Sequence, residues 1–173
     1  MALVIEDGTG VANANSYVTV AQARDYANAR GLTLPVDDLV VERQLLLAMG
    51  YLESLRFKGL RAQPDLQLLS WPRVGVMHDG VSYPSTSVPT PVRSAQSQLA
   101  VELAAGVKLF ASTNASSASD RVTTKEKVDV LEVEYASPAE TSAAAKSVAD
   151  LPAVQALLRG LLRGLDLAFA YRG

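Results

Sequence analysis

Two residues that often do chemistry occur once each in this 173-residue chain, one His and one Trp, and Cys is absent. Both fall in LSWPRVGVMHDGVSYP, residues 69 to 84. An imidazole that works as a base or a metal ligand needs partners that polarise it or share the ion. His78 has no second His and no Cys to join it, so a zinc site would need carboxylates from elsewhere. A nucleophile–His–carboxylate triad would also need the ring held more firmly than a hairpin tip holds it. His78 therefore reads as a turn histidine. No GxxxxGK[ST] phosphate loop, no GxGxxG after a strand, no HExxH and no GxSxG occurs. The acidic pairs have plain structural uses: Glu132 and Glu134 lie on one side of a strand, and Asp37 and Asp38 suit a helix N-terminus. No catalytic set, cofactor site or metal site emerges, and the chain does not read as an enzyme.

Cations give a second kind of chemistry. Arg56, Lys58 and Arg61 fall within RFKGLR, Arg73 follows, and Phe57 and Trp71 lie nearby in sequence. Such a set can carry a single nucleic-acid strand, with the cations following phosphates and the rings stacking on bases. The whole chain argues against a strong field: sixteen Lys and Arg against eighteen Asp and Glu leave −2, the pI is about 5.4, and aromatics make up 6%. A Trp beside proline is ordinarily a packing anchor. Trp71, Arg73 and His78 thus read as a scaffold or docking loop, while Arg56, Lys58 and Arg61 are the candidate DNA-facing residues.

The last segment offers a third surface. Gly160 and Gly164 lie four apart and Ala168 one turn on, a close-approach stripe, while Arg159, Arg163, Asp166 and Arg172 exclude a bilayer span. Val154, Leu157, Leu158, Leu161, Leu162, Leu165 and Phe169 supply more apolar surface than a terminal helix normally needs, which marks an interface. Arg159, Arg163, Leu165, Phe169, Tyr171 and Arg172 are its candidate contact residues, aromatics and Arg being frequent hot spots.

The length suits one domain with tails. No apolar run nears the roughly 18 residues of a membrane span, and MALVIE is too short and too soon acidic for a signal peptide, so a soluble, unexported protein is expected. Absence of Cys fits a reducing compartment. Residues 2 to 5 make a short strand candidate before the turn-rich DGTGVANANSY. Thr19 and Gln22 have capping-box spacing, and Gly31 stands where a left-handed residue would end the helix. Asp37 or Asp38 caps a core helix to about Leu55, with Val41, Leu45, Ala48, Met49 and Leu52 inward and Leu39, Leu46 and Leu47 widening its apolar arc. Asp79-Gly80 predicts a hairpin over 74 to 83. Thr90 as N-cap and Pro91 at the first position start a helix to about 110, with Val92, Ala95, Leu99, Leu103 and Phe110 on one face. KEKVDVLEVEY at 125 to 135 alternates like one strand with a change of phase, which suggests a bulge or a strand wetted on neither face. Residues 111 to 124 and 136 to 150 read as mobile connectors, and Asp150 or Leu151 caps a final helix carrying LLRG twice. The fold class is mainly α: a small bundle of about four helices with a β-hairpin, an extra strand and extended arms.

This order of pieces, with YLE at 51 to 53, RFKG at 56 to 59 and WPRVGV at 71 to 76, resembles the bacteriophage head-to-tail connector, or adaptor, proteins. Within them it is similar to the group labelled primosomal, DnaT-like single-stranded-DNA-binding proteins. The resemblance covers nearly the whole chain. It implies a structural protein of the virion neck, made in the host cytoplasm, twelve copies of which form a ring under the portal. The ring would meet the portal on one side and a stopper, tail-terminator or other neck protein on the other, with DNA passing non-specifically through its lumen. The alternative is a single-stranded-DNA-binding replication protein of primosomal type, which would use Arg56, Lys58, Arg61 and Arg73 on phosphates.

Overall fold

The computed structural model describes residues 2–78, 80–110, 125–128, 131–134 and 151–163. The connectors expected at 111 to 124 and 136 to 150, and the chain beyond 163, lie outside the described residues. Contacts divide the chain into two units, Met1–Leu109 with Asp150–Gly173, and Phe110–Ala149.

Local chemistry sets the helix ends of the first unit. Helix α1, Val20–Asn28, opens with both halves of the capping box: Gln22 N donates to Thr19 Oγ1 at 3.2 Å and Thr19 N to Gln22 Oε1 at 2.9 Å. It closes on Gly31 at φ 66°, with Leu32 N reaching back to Ala27 O and Gly31 N to Asn28 O, the paired bonds of a Schellman turn. Helix α2, Asp38–Ser54, is capped by Asp37 Oδ1, which accepts from Leu39 N at 2.9 Å. Val41, Leu45, Ala48, Met49 and Leu52 are buried as their spacing predicts, and Tyr51 joins them. Leu39 and Leu47 are 63% and 54% exposed, so the apolar arc is narrower than the sequence suggests. α2 packs on α1 and on helix α3, Thr90–Ala104, and neither covers that side.

Three expectations about α3 need correction. Pro89 is its N-cap, Thr90 is already helical, and no side chain caps the start. The helix stops at Ala104, not near 110, because Gly106 at φ 88° closes a second Schellman turn, Val107 N to Glu102 O and Gly106 N to Leu103 O. Phe110 is therefore off the α3 face and half exposed, while Val92, Ala95 and Leu99 are buried.

Helix α4, Pro152–Leu158, starts after Leu151 and packs on α3. Val154, Leu158, Leu161 and Leu162 are all buried within this unit and only Leu157 is part-exposed, so most of the apolar surplus read from the last segment, up to residue 162, is core and not a free interface. Each such side chain contributes about 1.5–3 kcal/mol of apolar transfer.

Strands are short. β1, Leu60–Arg61, pairs antiparallel with β2, Arg73–Val74; β3, Met77–His78, pairs with β4, Val81–Ser82. The hairpin is thus shorter than 74 to 83, because Val74 belongs to β2 and Gly75, at φ 71°, separates the ladders. Tyr83 N to Val76 O adds one bond below β3 and β4. Residues 2 to 5 form no strand, only a bridge from Ile5 to Ser16. The turn after it winds round buried Glu6, whose carboxylate accepts from Gly8, Gly10 and Val11 N–H at 2.8–2.9 Å. In the second unit β5, Lys125–Val128, pairs antiparallel with β6, Leu131–Glu134, and Val128 stands opposite Leu131. The change of alternation phase is therefore a chain reversal between two strands and not a bulge in one. Among the described residues no helix is long and apolar enough to cross a membrane.

Candidate nucleic-acid interface

The RFKGLR segment is gripped at both ends. At its start, Lys58 N donates to Leu161 O and Arg163 N to Arg56 O, each 2.8 Å, with Phe57 bridged to Leu162. At its end, β1 pairs with β2, setting Arg61 opposite Arg73. Two stretches about a hundred residues apart in sequence are thereby zipped together, and Arg159 and Arg163 arrive beside Arg56, Lys58, Arg61 and Arg73. The sequence reading kept these as separate surfaces, one for DNA and one for a protein partner.

A cleft of about 580 Å³ opens here, lined by Arg56, Arg61, Arg73 and Arg163 with the Gly59 backbone, Leu60 and Pro64 among its walls. No Asp or Glu is among its lining residues. Arg56, Arg61 and Arg163 are exposed. Arg61 lies 3.7 Å from Glu53, a loose pair, since that carboxylate already accepts from Ser70 N at 2.9 Å and Ser70 Oγ at 2.8 Å.

Arg73 has a different role. Its Nε donates to Lys58 O at 2.6 Å, Nη2 to Gly59 O at 2.8 Å and Phe57 O at 3.4 Å, and Nη1 to Ser70 O at 3.0 Å. One guanidinium thus fastens the 57–59 segment to the loop holding Trp71. Burial, followed by the neighbouring Arg163 and Arg61 charges, lowers its pKa from the ordinary arginine value. Arg163 Nη2 adds a second donor to Gly59 O at 3.0 Å.

The aromatics do not serve as a stacking platform. Phe57 and Trp71 are 3% and 0% exposed and meet edge to face, centroids 5.8 Å apart at 75°. Trp71 is an anchor beneath the cleft. Its backbone N–H donates to Tyr17 Oη at 3.1 Å, and Tyr17 in turn donates to Glu53 Oε1 at 3.2 Å. Burial first, then the Glu53 charge, raises the Tyr17 pKa well above the ordinary tyrosine value.

His78 stands apart from Trp71, on β3, its ring stacked on Tyr83 at 6.4 Å and 17°. It leans on Gly160 so closely that a Cβ there would collide with the imidazole. This is the use of Gly160: the small residue admits the hairpin of its own chain. His78, Met77, Lys58, Leu157, Arg159 and Gly160 are among the lining residues of a second cleft of about 420 Å³. Leu165, Phe169, Tyr171 and Arg172 lie outside the described residues. Among the described residues no group of three or more His, Cys, Asp or Glu could hold a metal ion. The sequence reading missed the convergence of Arg159 and Arg163 on RFKGLR, and no local signal announces it, because it is made by backbone pairing of distant segments.

The chain is thus a small, mainly α protein that presents an arginine-lined cleft with Phe57 and Trp71 buried beneath it. A family model described as "Putative DnaT-like ssDNA binding protein" matches residues 1–173, and the chain belongs to that family. The description concerns single-stranded-DNA binding and does not mention a connector. No curated protein and no solved structure matches the chain.

Proposed function

We propose that the protein binds a single DNA strand by its sugar–phosphate backbone, with no catalytic step, in the cleft of Arg56, Arg61 and Arg163. The observation that carries this is four arginines round one cleft with no lining carboxylate. Local concentration answers the objection from net charge −2, since phosphates respond to the nearby field within a Debye length of about 8–10 Å. With Phe57 and Trp71 buried, the strand is held by charge and not by base stacking, so binding is sequence-tolerant and of modest affinity. The family description supports the same reading.

A second reading, the head-to-tail connector ring, is favoured by one observation. Val36, Leu39, Leu60, Leu66 and Leu68 are 94%, 63%, 67%, 68% and 58% exposed, apolar surface suited to neighbouring copies or a portal. In that setting the same arginines would face DNA in the lumen.

The test is fluorescence anisotropy of labelled oligothymidine across salt concentrations. Each phosphate contact on a single strand contributes about 0.7 to the slope of log K against log salt. Arg56→Gln with Arg163→Gln should lower that slope by about 1.4, and because Arg163 also donates to Gly59 O the slope is read well below the melting temperature of the double variant. Undetectable binding near 50 mM salt defeats the DNA reading. Decoration of isolated portal rings, seen by negative stain together with that failure, favours the connector.

A further inference from the structure

The second cleft also faces the ladder that joins 56–58 to 161–163, on which the first cleft is built. Lys58 lies between Phe57 and Gly59, both of which line the first cleft, and Arg159 and Gly160 immediately precede the Leu161–Arg163 stretch that closes it. The two clefts thus draw on the same two chain segments, the first taking residues on both sides of Lys58 together with Arg163, the second taking Lys58 itself together with Leu157, Arg159 and Gly160. Lys58 and Arg159 are the charged residues lining the second one, and no Asp or Glu lines it among the described residues. His78, stacked on the Tyr83 ring and pressed against Gly160, also lines it and offers ring nitrogens but no negative charge.

We infer that this second cleft is a phosphodiester subsite that continues the arginine track, so that one DNA strand crosses the ladder and is held by Arg56, Arg61 and Arg163 on one side and by Lys58 and Arg159 on the other. The inference rests on the DNA-binding reading above and extends it to residues that the family description does not assign. Two groups of cations on adjoining faces of one ladder hold a flexible strand better than either alone, because the second contact is made within the complex at high effective concentration. Such binding should therefore be lost faster with salt than the first cleft alone allows.

The experiment uses the full chain and labelled oligothymidine of about 15 nucleotides, within the range of site sizes for single-strand binders. Lys58→Gln with Arg159→Gln should lower the slope of log K against log salt by about 1.4, and Arg159→Gln alone, at an exposed position, by about 0.7. Arg159→Gln keeps the question answerable should the double variant fail to fold. An unchanged slope in a folded Arg159→Gln protein, while the parent binds and the Arg56/Arg163 variant shows its own loss, overturns the second subsite and leaves the first standing. A parent that binds no oligothymidine overturns both.

Discussion

Replacing Arg73 separates two roles that a surface arginine can have. Its guanidinium makes two short bonds, to Lys58 O at 2.6 Å and Gly59 O at 2.8 Å, and longer ones to Ser70 O and Phe57 O at 3.0 and 3.4 Å. A hydrogen bond from a charged donor contributes about 1.5–3 kcal/mol net. Gly59 O keeps the bond from Arg163, and loss of the Arg73 charge relieves its repulsion with Arg61 and Arg163, so the total for Arg73→Met falls to about 2–3 kcal/mol. For a unit of this size about 4 °C accompanies each kcal/mol, giving a fall of about 8–12 °C in calorimetry. Arg73→Lys should melt almost as low, because a single ammonium restores the charge but cannot reach the carbonyls of both 57–59 and Ser70 together. If Arg73→Met melts within about 2 °C of the parent while the salt slope of DNA binding falls by about 0.7, the guanidinium serves phosphate and the argument is wrong.

Two further outcomes follow from the packing. Gly160→Ala should cost about 1–2 kcal/mol in the parent, where the new methyl meets the His78 ring, but stabilise a His78→Ala protein by about 0.4–1 kcal/mol, since only the chain-entropy gain remains; equal effects in urea titrations of both backgrounds would refute the contact. Tyr17 is held neutral in the fold by burial and by Glu53, so above the ordinary tyrosine pKa of about 10 the unfolded chain alone releases its proton, and stability falls as pH rises. Melts from pH 8 to 11 should show this decline in the parent and a shallower one in Tyr17→Phe, which loses the Trp71 and Glu53 bonds at every pH but has no proton to release.

What the sequence makes legible is what short-range chemistry decides. The Thr19–Gln22 box, the Asp37 cap and the Gly31 stop all depend on groups within five residues, and each is found as expected. The errors arise where two local signals compete. Apolar periodicity runs on through Phe110, but the left-handed Gly106 ends α3 first. Thr90 has a capping hydroxyl, but Pro89 at φ −57° and ψ 142° already supplies the extended residue before the helix. Asp79-Gly80 marks a hairpin correctly, yet its length is set by where Val74 finds a partner, and that partner is Leu60, fourteen residues back. The last leucines show the same limit. Their number is evident, but whether Leu158, Leu161 and Leu162 face a partner or the chain's own core depends on closure of the bundle.

That closure also makes the site. Arg163 donates to Gly59 O across 104 residues, and its own backbone N–H pairs with Arg56 O, so the contacts that dock the last segment are the ones that gather the cations. The fold holds like charges together here: Arg73 feels Arg163 and Arg61, and Glu53, 3.7 Å from Arg61 and outside the cleft lining, offsets them only in part. Backbone carbonyls of residues 57 to 59 compensate in part by accepting from Arg73 and Arg163. On the DNA-binding reading, a strand of phosphates laid over the cleft would relieve the remaining repulsion, of which the part due to Arg163 arises only when the last segment is docked. Binding and docking are therefore linked, and a ligand at a hundred times its Kd would add about 2.7 kcal/mol to the stability of the closed chain. The arginine cleft is in this sense a cost that the apolar packing of Val154, Leu158, Leu161 and Leu162 sustains, and one that a bound DNA strand would lower.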